Sequence, residues 1–165
     1  MSDDKNDFDT KALDNLIKAL TETKYVVKVG VLGAKAPRKE GGPNNAEIGA
    51  VHEFGDTKVP RRSFLRMPLE TQFSKDLEKA GGITEKDIQA IIKDIGFREF
   101  TKKIGILAVE TILRAFDTGG FGQWLKLSDA RIAQRLRLNQ GTQKLVVAGS
   151  QQLRDSITYE VKKLK

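Results

Sequence analysis

The sequence predicts an α+β fold: a single domain in which a small, mostly antiparallel β-sheet is packed by several helices. Three observations predict it. Strand-type alternation recurs at Tyr25–Leu32 and Ile157–Val161, with a third β-type run at Lys144–Ala148. Most of the chain between the first strand and this last pair carries helical periodicity or turn signals instead. The order is therefore helix, strand, several helices, then two strands, which is not the regular winding of a parallel sheet. A chain of 165 residues is long enough for one real core, and it contains no internal repeat or low-complexity tract.

Residues 1–9 are polar and acidic, with Asp3, Asp4, Asp7 and Asp9, and are expected to be flexible. The folded domain is expected over 10–165. Thr10 caps a helix with apolar positions at Leu13, Leu16, Ile17 and Leu20. Tyr25, Val27, Val29 and Val31 alternate in the first strand, which Gly33 ends. Residues 33–44 form a long loop, because Gly41-Gly42-Pro43 cannot continue a regular element. Asn44 or Asn45 caps a short helix through Phe54, and Gly55 stops it. Pro60 forces Val59 into an extended state.

Leu65, Leu69, Phe73, Leu77 and Ala80 share one face of a next helix, stopped by Gly81-Gly82. Thr84 and Asp87 are spaced as a capping box ahead of Ile88, Ile91, Ile92 and Ile95. The longest helix runs from about Phe97 to Phe116. Its two apolar stripes, one with Phe100 and Ile104 and one with Ile106, Val109 and Leu113, predict burial on two sides. Residues 117–123 read as a flexible break, and Ser128 caps a helix through about Leu136. The segment from Gln151 to Arg154 reads as a turn.

Composition narrows the function. Hydrophobic residues at 39% and charged residues at 31% describe an ordinary water-soluble chain, with no apolar run near the ~20 residues of a membrane span. The acidic N-terminus lacks the layout of a signal peptide. Without cysteine, thiolate metal sites and disulfides are excluded, as expected of a reducing cytoplasm. The formal charge of +7 comes from 29 basic and 22 acidic residues. Knots at Arg61, Arg62 and Arg66, at Arg131, Arg135 and Arg137, and at Lys162, Lys163 and Lys165 suit solvated faces, an acidic partner or nearby DNA.

Enzyme chemistry finds little support. His52 is the one histidine, and its neighbour Glu53 points about 100° away on a helix, so a chelating pair is not expected. Gly30-Val31-Leu32-Gly33 follows a strand but has neither dinucleotide-loop spacing nor a closing Gly-Lys-Ser/Thr. No Gly-x-Ser-x-Gly elbow occurs. No catalytic residue, metal ligand or cofactor is expected.

One segment carries more information. It runs Ala46-Glu47-Ile48-Gly49-Ala50-Val51-His52-Glu53-Phe54-Gly55 and, after a polar turn, Val59-Pro60-Arg61-Arg62-Ser63-Phe64-Leu65-Arg66. With Val27, Val29, Gly30 and Val31 ahead of it, it resembles the signature of bacteriophage tail-completion and head–tail joining (neck) proteins, often grouped as virion-morphogenesis proteins. Trp124-Leu125-Lys126-Leu127-Ser128, Arg131-Ile132-Ala133 and Leu153-Arg154-Asp155-Ser156-Ile157-Thr158-Tyr159 are similar to that family's downstream pattern. The resemblance spans about 25–164. The chain departs from it at Asp129, where the family often has Pro, in a longer turn before Leu153, and in the added helix 84–95.

The resemblance implies a non-enzymatic structural virion protein, assembled in the host bacterial cytoplasm and located in the tail or neck. It implies a homo-oligomeric ring, a hexamer by analogy with tail tubes, that completes the head-proximal end of the tail and joins it to the head. The neighbours implied are a tail terminator or tail-tube protein and head-completion or connector proteins, with non-specific DNA contact in the lumen and no membrane. Phe54, Gly55, Pro60, Phe64, Leu65, Trp124, Leu153, Ile157 and Tyr159 form the fold signature. Glu53, Arg61, Arg62, Arg66, Arg131 and Arg135 are candidate contacts to a neighbouring subunit. Phe54 and Phe64 are expected to anchor the connection in the core, leaving Arg61, Arg62 and Arg66 on an exposed rim. Loops 33–44 and 117–123 are expected to order on assembly. The alternatives are a tail terminator that caps tail-tube length and a basic nucleic-acid-associated module.

Overall fold

A computed structural model of the chain describes residues 11, 13–14, 17–18, 21, 25–33, 42–92, 97–139 and 152–163. Two strands, β1 (Tyr25–Val31) and β2 (Ile157–Lys163), pair antiparallel from Tyr25 opposite Lys163 to Val31 opposite Ile157. Between them lie α1 (Asn45–Phe54), α2 (Arg66–Thr71), α3 (Phe73–Lys79), α4 (Glu85–Ile92), α5 (Phe97–Thr118), α6 (Asp129–Arg137) and α7 (Gln152–Asp155). This is the expected small α+β domain. No helix among the described residues is long and apolar enough to cross a membrane.

The 22-residue α5 organises the fold. It packs on both strands and against α2, α3 and α4. A Cβ at Gly105 would fall 2.2 Å from the Tyr159 ring, so glycine lets the helix lie against β2. Of the two predicted apolar stripes, Ile112 is fully buried beside the second, while Ile106 is exposed. The core gathers Phe64, Ile112, Ala115, Trp124, Leu153 and Ile157. Phe116 joins the aromatic part, 5.2 Å from Phe64 and 6.0 Å, edge-on, from Trp124 between ring centroids.

Local signals place the helix ends. Asn44 caps α1 in a reciprocal box: its side chain accepts from the Glu47 N–H at 2.9 Å, and its own N–H donates to Glu47 Oε2 at 2.8 Å. The Thr84–Asp87 box forms with Asp in the acidic position, with contacts of 2.9 and 3.2 Å. Ser128 Oγ accepts from the Arg131 N–H at the start of α6.

Several expectations are corrected. The helix expected over 65–80 is interrupted at Gln72 (φ −120°), giving α2 and α3. The Gln151–Arg154 turn is helical from Gln152. Residues 117–123 are not a loose break. The α5 helix continues to Thr118, after which Gly120 N–H donates to Ala115 O at 2.6 Å and Trp124 N–H to Gly119 O at 3.1 Å. Phe54 is not a core anchor; it is 68% exposed. The inward face of α1 carries Asn45, Gly49, His52 and Glu53, and the next residue turns about 100° away from it. Residues 1–9, the Thr10 cap, Leu16, Leu20, Ile95, most of loop 33–44 and the Lys144–Ala148 strand lie outside the described residues.

Asp76 on α3 is a second internal tie. Its buried carboxylate accepts from Thr111 Oγ1 at 2.7 Å and pairs with the Arg114 guanidinium. Asp76→Ala is expected to cost about 2 kcal/mol in urea unfolding, because the Thr111 hydroxyl is left buried without its acceptor. A loss below a few tenths would mean that this tie contributes nothing net.

Candidate functional site

The segment 53–66 folds around one carboxylate. Glu53, only 5% exposed, turns into the protein from the last turn of α1. Its Oε1 accepts from Ser63 Oγ at 2.7 Å and from the Arg66 N–H at 3.2 Å. Its Oε2 accepts from the Phe64 and Leu65 N–H groups, each at 2.9 Å. The N-terminal N–H groups of a helix have no intrahelical acceptor, and α2 lacks a side-chain cap of its own. Glu53 supplies that cap from a distance, placed where negative charge suits the positive end of the helix dipole. Ser63 Oγ completes the clamp by accepting from the Met67 N–H at 3.0 Å. As a candidate subunit contact, Glu53 is therefore corrected: its acceptors are turned inward and used within the chain.

Trp124 locks the same segment from the other side, its indole N–H donating to Ser63 O at 3.1 Å. Arg62 donates through Nε and Nη2 to Leu125 O, both at 3.3 Å, and its backbone N–H donates to His52 O at 2.7 Å. These bonds draw α1, the 58–63 segment and the 124–128 connection together. A groove of about 680 Å³ opens between them and α6, lined by His52, Lys58, Val59, Pro60, Arg62, Leu125, Lys126, Leu127, Ser128, Arg131 and Arg135.

Five of those residues are cationic and none is acidic. Arg62 and Arg135, each 4% exposed, form the inner part, while Arg131 is exposed at the rim. Burial, and then the Arg135 charge, depresses the Arg62 pKa from its ordinary value. Burial and the Arg131 charge do the same to Arg135. His52 is 8% exposed, and its Nδ1 has no hydrogen-bond partner among the described residues. Burial, then Arg62 and Arg135, pushes its pKa down to about 4. At neutral pH the site is thus a concave cluster of guanidinium and ammonium groups around a neutral imidazole, with apolar walls. Such an arrangement is electrostatically suited to an anion. No group of His, Asp and Glu that could hold a metal ion occurs among the described residues.

The depressed His52 value has a measurable consequence. The unfolded chain takes up the proton near pH 6.5 and the folded chain only near 4. Stability therefore falls as pH is lowered through that window, by at most about 1.4 kcal/mol per pH unit. Allowing for solvent screening in the open groove, His52→Gln is expected to remove about 2 kcal/mol of the loss between pH 7 and 4. Urea midpoints at the two pH values decide it, and equal acid losses in both chains would refute the shift.

The groove brings together Arg62, Arg131 and Arg135 of the predicted contacts. Arg61 and Arg66 do not line it. The exposed-rim expectation fails for Arg62, whose guanidinium is drawn inward by Leu125 O, and Arg135 is likewise buried. Sequence reasoning gave Lys58 and Lys126 no contact role and set His52 aside as neither catalytic nor metal-binding. The signal for these was weak, since only the fold closes the 63-residue separation between Arg62 and Leu125. Phe64, Trp124, Leu153 and Ile157 lie in the core as a connected set. Leu65 packs near Gly30, Tyr159 against Gly105, and Gly55 (φ 82°) follows α1 directly. Pro60 is exposed at the groove. No protein-family profile, curated protein or solved structure matches the chain.

Proposed function

We propose that this chain is a non-enzymatic structural protein of a tailed-bacteriophage virion, acting as a ring at the head-proximal end of the tail to complete the tail and join it to the head. The observation that carries the reading is a convergence. Glu53, Ser63, Phe64, Leu65, Arg66 and Trp124, the residues quoted for the resemblance, come from separate stretches of sequence and meet in one node of hydrogen bonds and core packing. A signature that fixes a fold in this way is what an assembly family shares when no catalytic residue does. In support, the node leaves two unlike surfaces exposed: the basic groove, and an apolar patch at Val51 and Phe54. Head-to-tail ring contacts need two different adhesive faces on each subunit.

Electron microscopy of tails from a virus lacking the protein tests this. Headless tails of normal length are expected. Tails of uncontrolled length would assign the terminator role instead, and intact infectious particles would remove the virion role.

The basic groove favours one second reading, a nucleic-acid-associated module. That reading requires duplex DNA binding by the isolated chain whose logarithm falls steeply and linearly with log salt. Weak binding without that slope would leave the structural reading in place.

A further inference from the structure

The groove's inner surface is built to receive an anion with an apolar companion. Arg62 and Arg135 are more than nine-tenths buried, and the His52 ring beside them keeps a buried nitrogen without a partner among the described residues. Val59, Leu125 and Leu127 supply the apolar walls. The phosphates of a rigid duplex stand on a convex surface and reach rim groups such as Arg131 more readily than recessed guanidiniums. A flexible peptide carrying carboxylates can enter. The chain itself carries a carboxylate-rich stretch, Asp3-Asp4-Lys5-Asn6-Asp7-Phe8-Asp9, with four Asp and one Phe. Its charge is opposite to that of the groove, and its Phe8 suits the apolar walls.

We propose that the basic groove is the docking site for the acidic segment 3–9 of a second copy of this chain. The proposal rests on the ring reading, and it names one of the ring's contacts. Groove and segment are different patches of one sequence, so pairing them between copies is head-to-tail and propagates round a ring. Carboxylates brought beside His52 offset the repulsion from Arg62 and Arg135, so docking is expected to favour the protonated imidazole.

His52 is the chain's one histidine, so its ring gives a single reporter signal in NMR titration. The test compares the full chain with a variant in which Asp3, Asp4, Asp7 and Asp9 are all replaced by Asn, and with Arg131→Glu, a change at the exposed rim. Each is titrated at low and high concentration, with its mass followed by sedimentation. In the full chain the His52 pKa is expected to rise from about 4 at low concentration to about 6.5 or above as the mass increases. In both variants it is expected to stay low, with the assembly weakened at least tenfold. A synthetic peptide of residues 1–12, added to the Asn variant, is expected to restore the rise.

Assembly that persists unchanged in the Asn variant, with the same His52 titration, overturns the docking and leaves the ring reading standing. A raised pKa that does not depend on concentration means that the segment docks on its own chain, and overturns the contact between copies. A rise produced by a duplex oligonucleotide at 0.15 M salt, but not by the peptide, overturns it in favour of nucleic acid. A chain that stays monomeric while the peptide still raises the pKa supports the docking chemistry and sinks the ring.

Discussion

Glu53→Ala is expected to cost about 3–5 kcal/mol, a large share of the roughly 5–15 kcal/mol that holds a domain of this size. The reason is the number of donors served by one buried carboxylate. The Phe64, Leu65 and Arg66 N–H groups and the Ser63 hydroxyl all point at it, at 2.7 to 3.2 Å. Alanine leaves the buried donors among them without an acceptor, and each such donor costs about 1–3 kcal/mol less whatever relaxation admits water. Glu53→Gln retains one carbonyl oxygen but turns an NH₂ toward N–H groups, so about 2 kcal/mol is expected. Both variants are measured by urea unfolding followed through the fluorescence of Trp124, the chain's one tryptophan, which lies against the same segment. Glu53→Ala losing less than 1 kcal/mol would show that the clamp is replaceable by solvent. Because α2 starts at this clamp, the helix is expected to loosen before the β1–β2 pair does.

Gly120→Ala is the second large effect, about 3–4 kcal/mol. Two independent costs coincide there. Gly120 has φ +69°, a left-handed conformation that costs an L-residue roughly 1–2 kcal/mol. A Cβ at that position would also fall 2.3 Å from the Trp124 ring. The ring cannot swing aside cheaply, because it is buried, packs edge-on against Phe116 and donates to Ser63 O. Overpacking of this kind costs about 1–3 kcal/mol. The displaced indole should also show a shifted emission maximum in the native state. A stability within 0.5 kcal/mol of the parent chain, with an unchanged spectrum, would refute the argument. Both variants act on the segment 63–66, Glu53 directly and Gly120 through the Trp124 bond to Ser63 O, so their effects are expected to be non-additive when combined.

The functional reading depends on the same geometry. Glu53 and Trp124 fix the 62–66 segment from opposite sides, and that fixes where Arg62 enters the groove. A loosened clamp is therefore expected to displace Arg62 from the groove without changing any groove residue.

The sequence by itself determined the elements whose signals are local. Asn44 or Asn45, Thr84 with Asp87, and Ser128 each announce a helix start, and caps form at Asn44, Thr84 and Ser128 because donor and acceptor lie three residues apart. Alternation gave β1 and β2, and 3.6-residue spacing gave α5. Phe64, Trp124, Leu153 and Ile157 were marked as fold residues by the resemblance, and all four lie in the core. Only the tertiary structure decided which way the polar residues face. Glu53 and Phe54 are neighbours, yet one is buried and the other exposed, because a helix turns about 100° per residue and packing selects the face. Arg62 leaves the surface for a carbonyl 63 residues away, and His52 is kept uncharged by burial and then by the charges of Arg62 and Arg135. Burial and charge proximity are sums over distant partners, and no local stretch of this chain contains them.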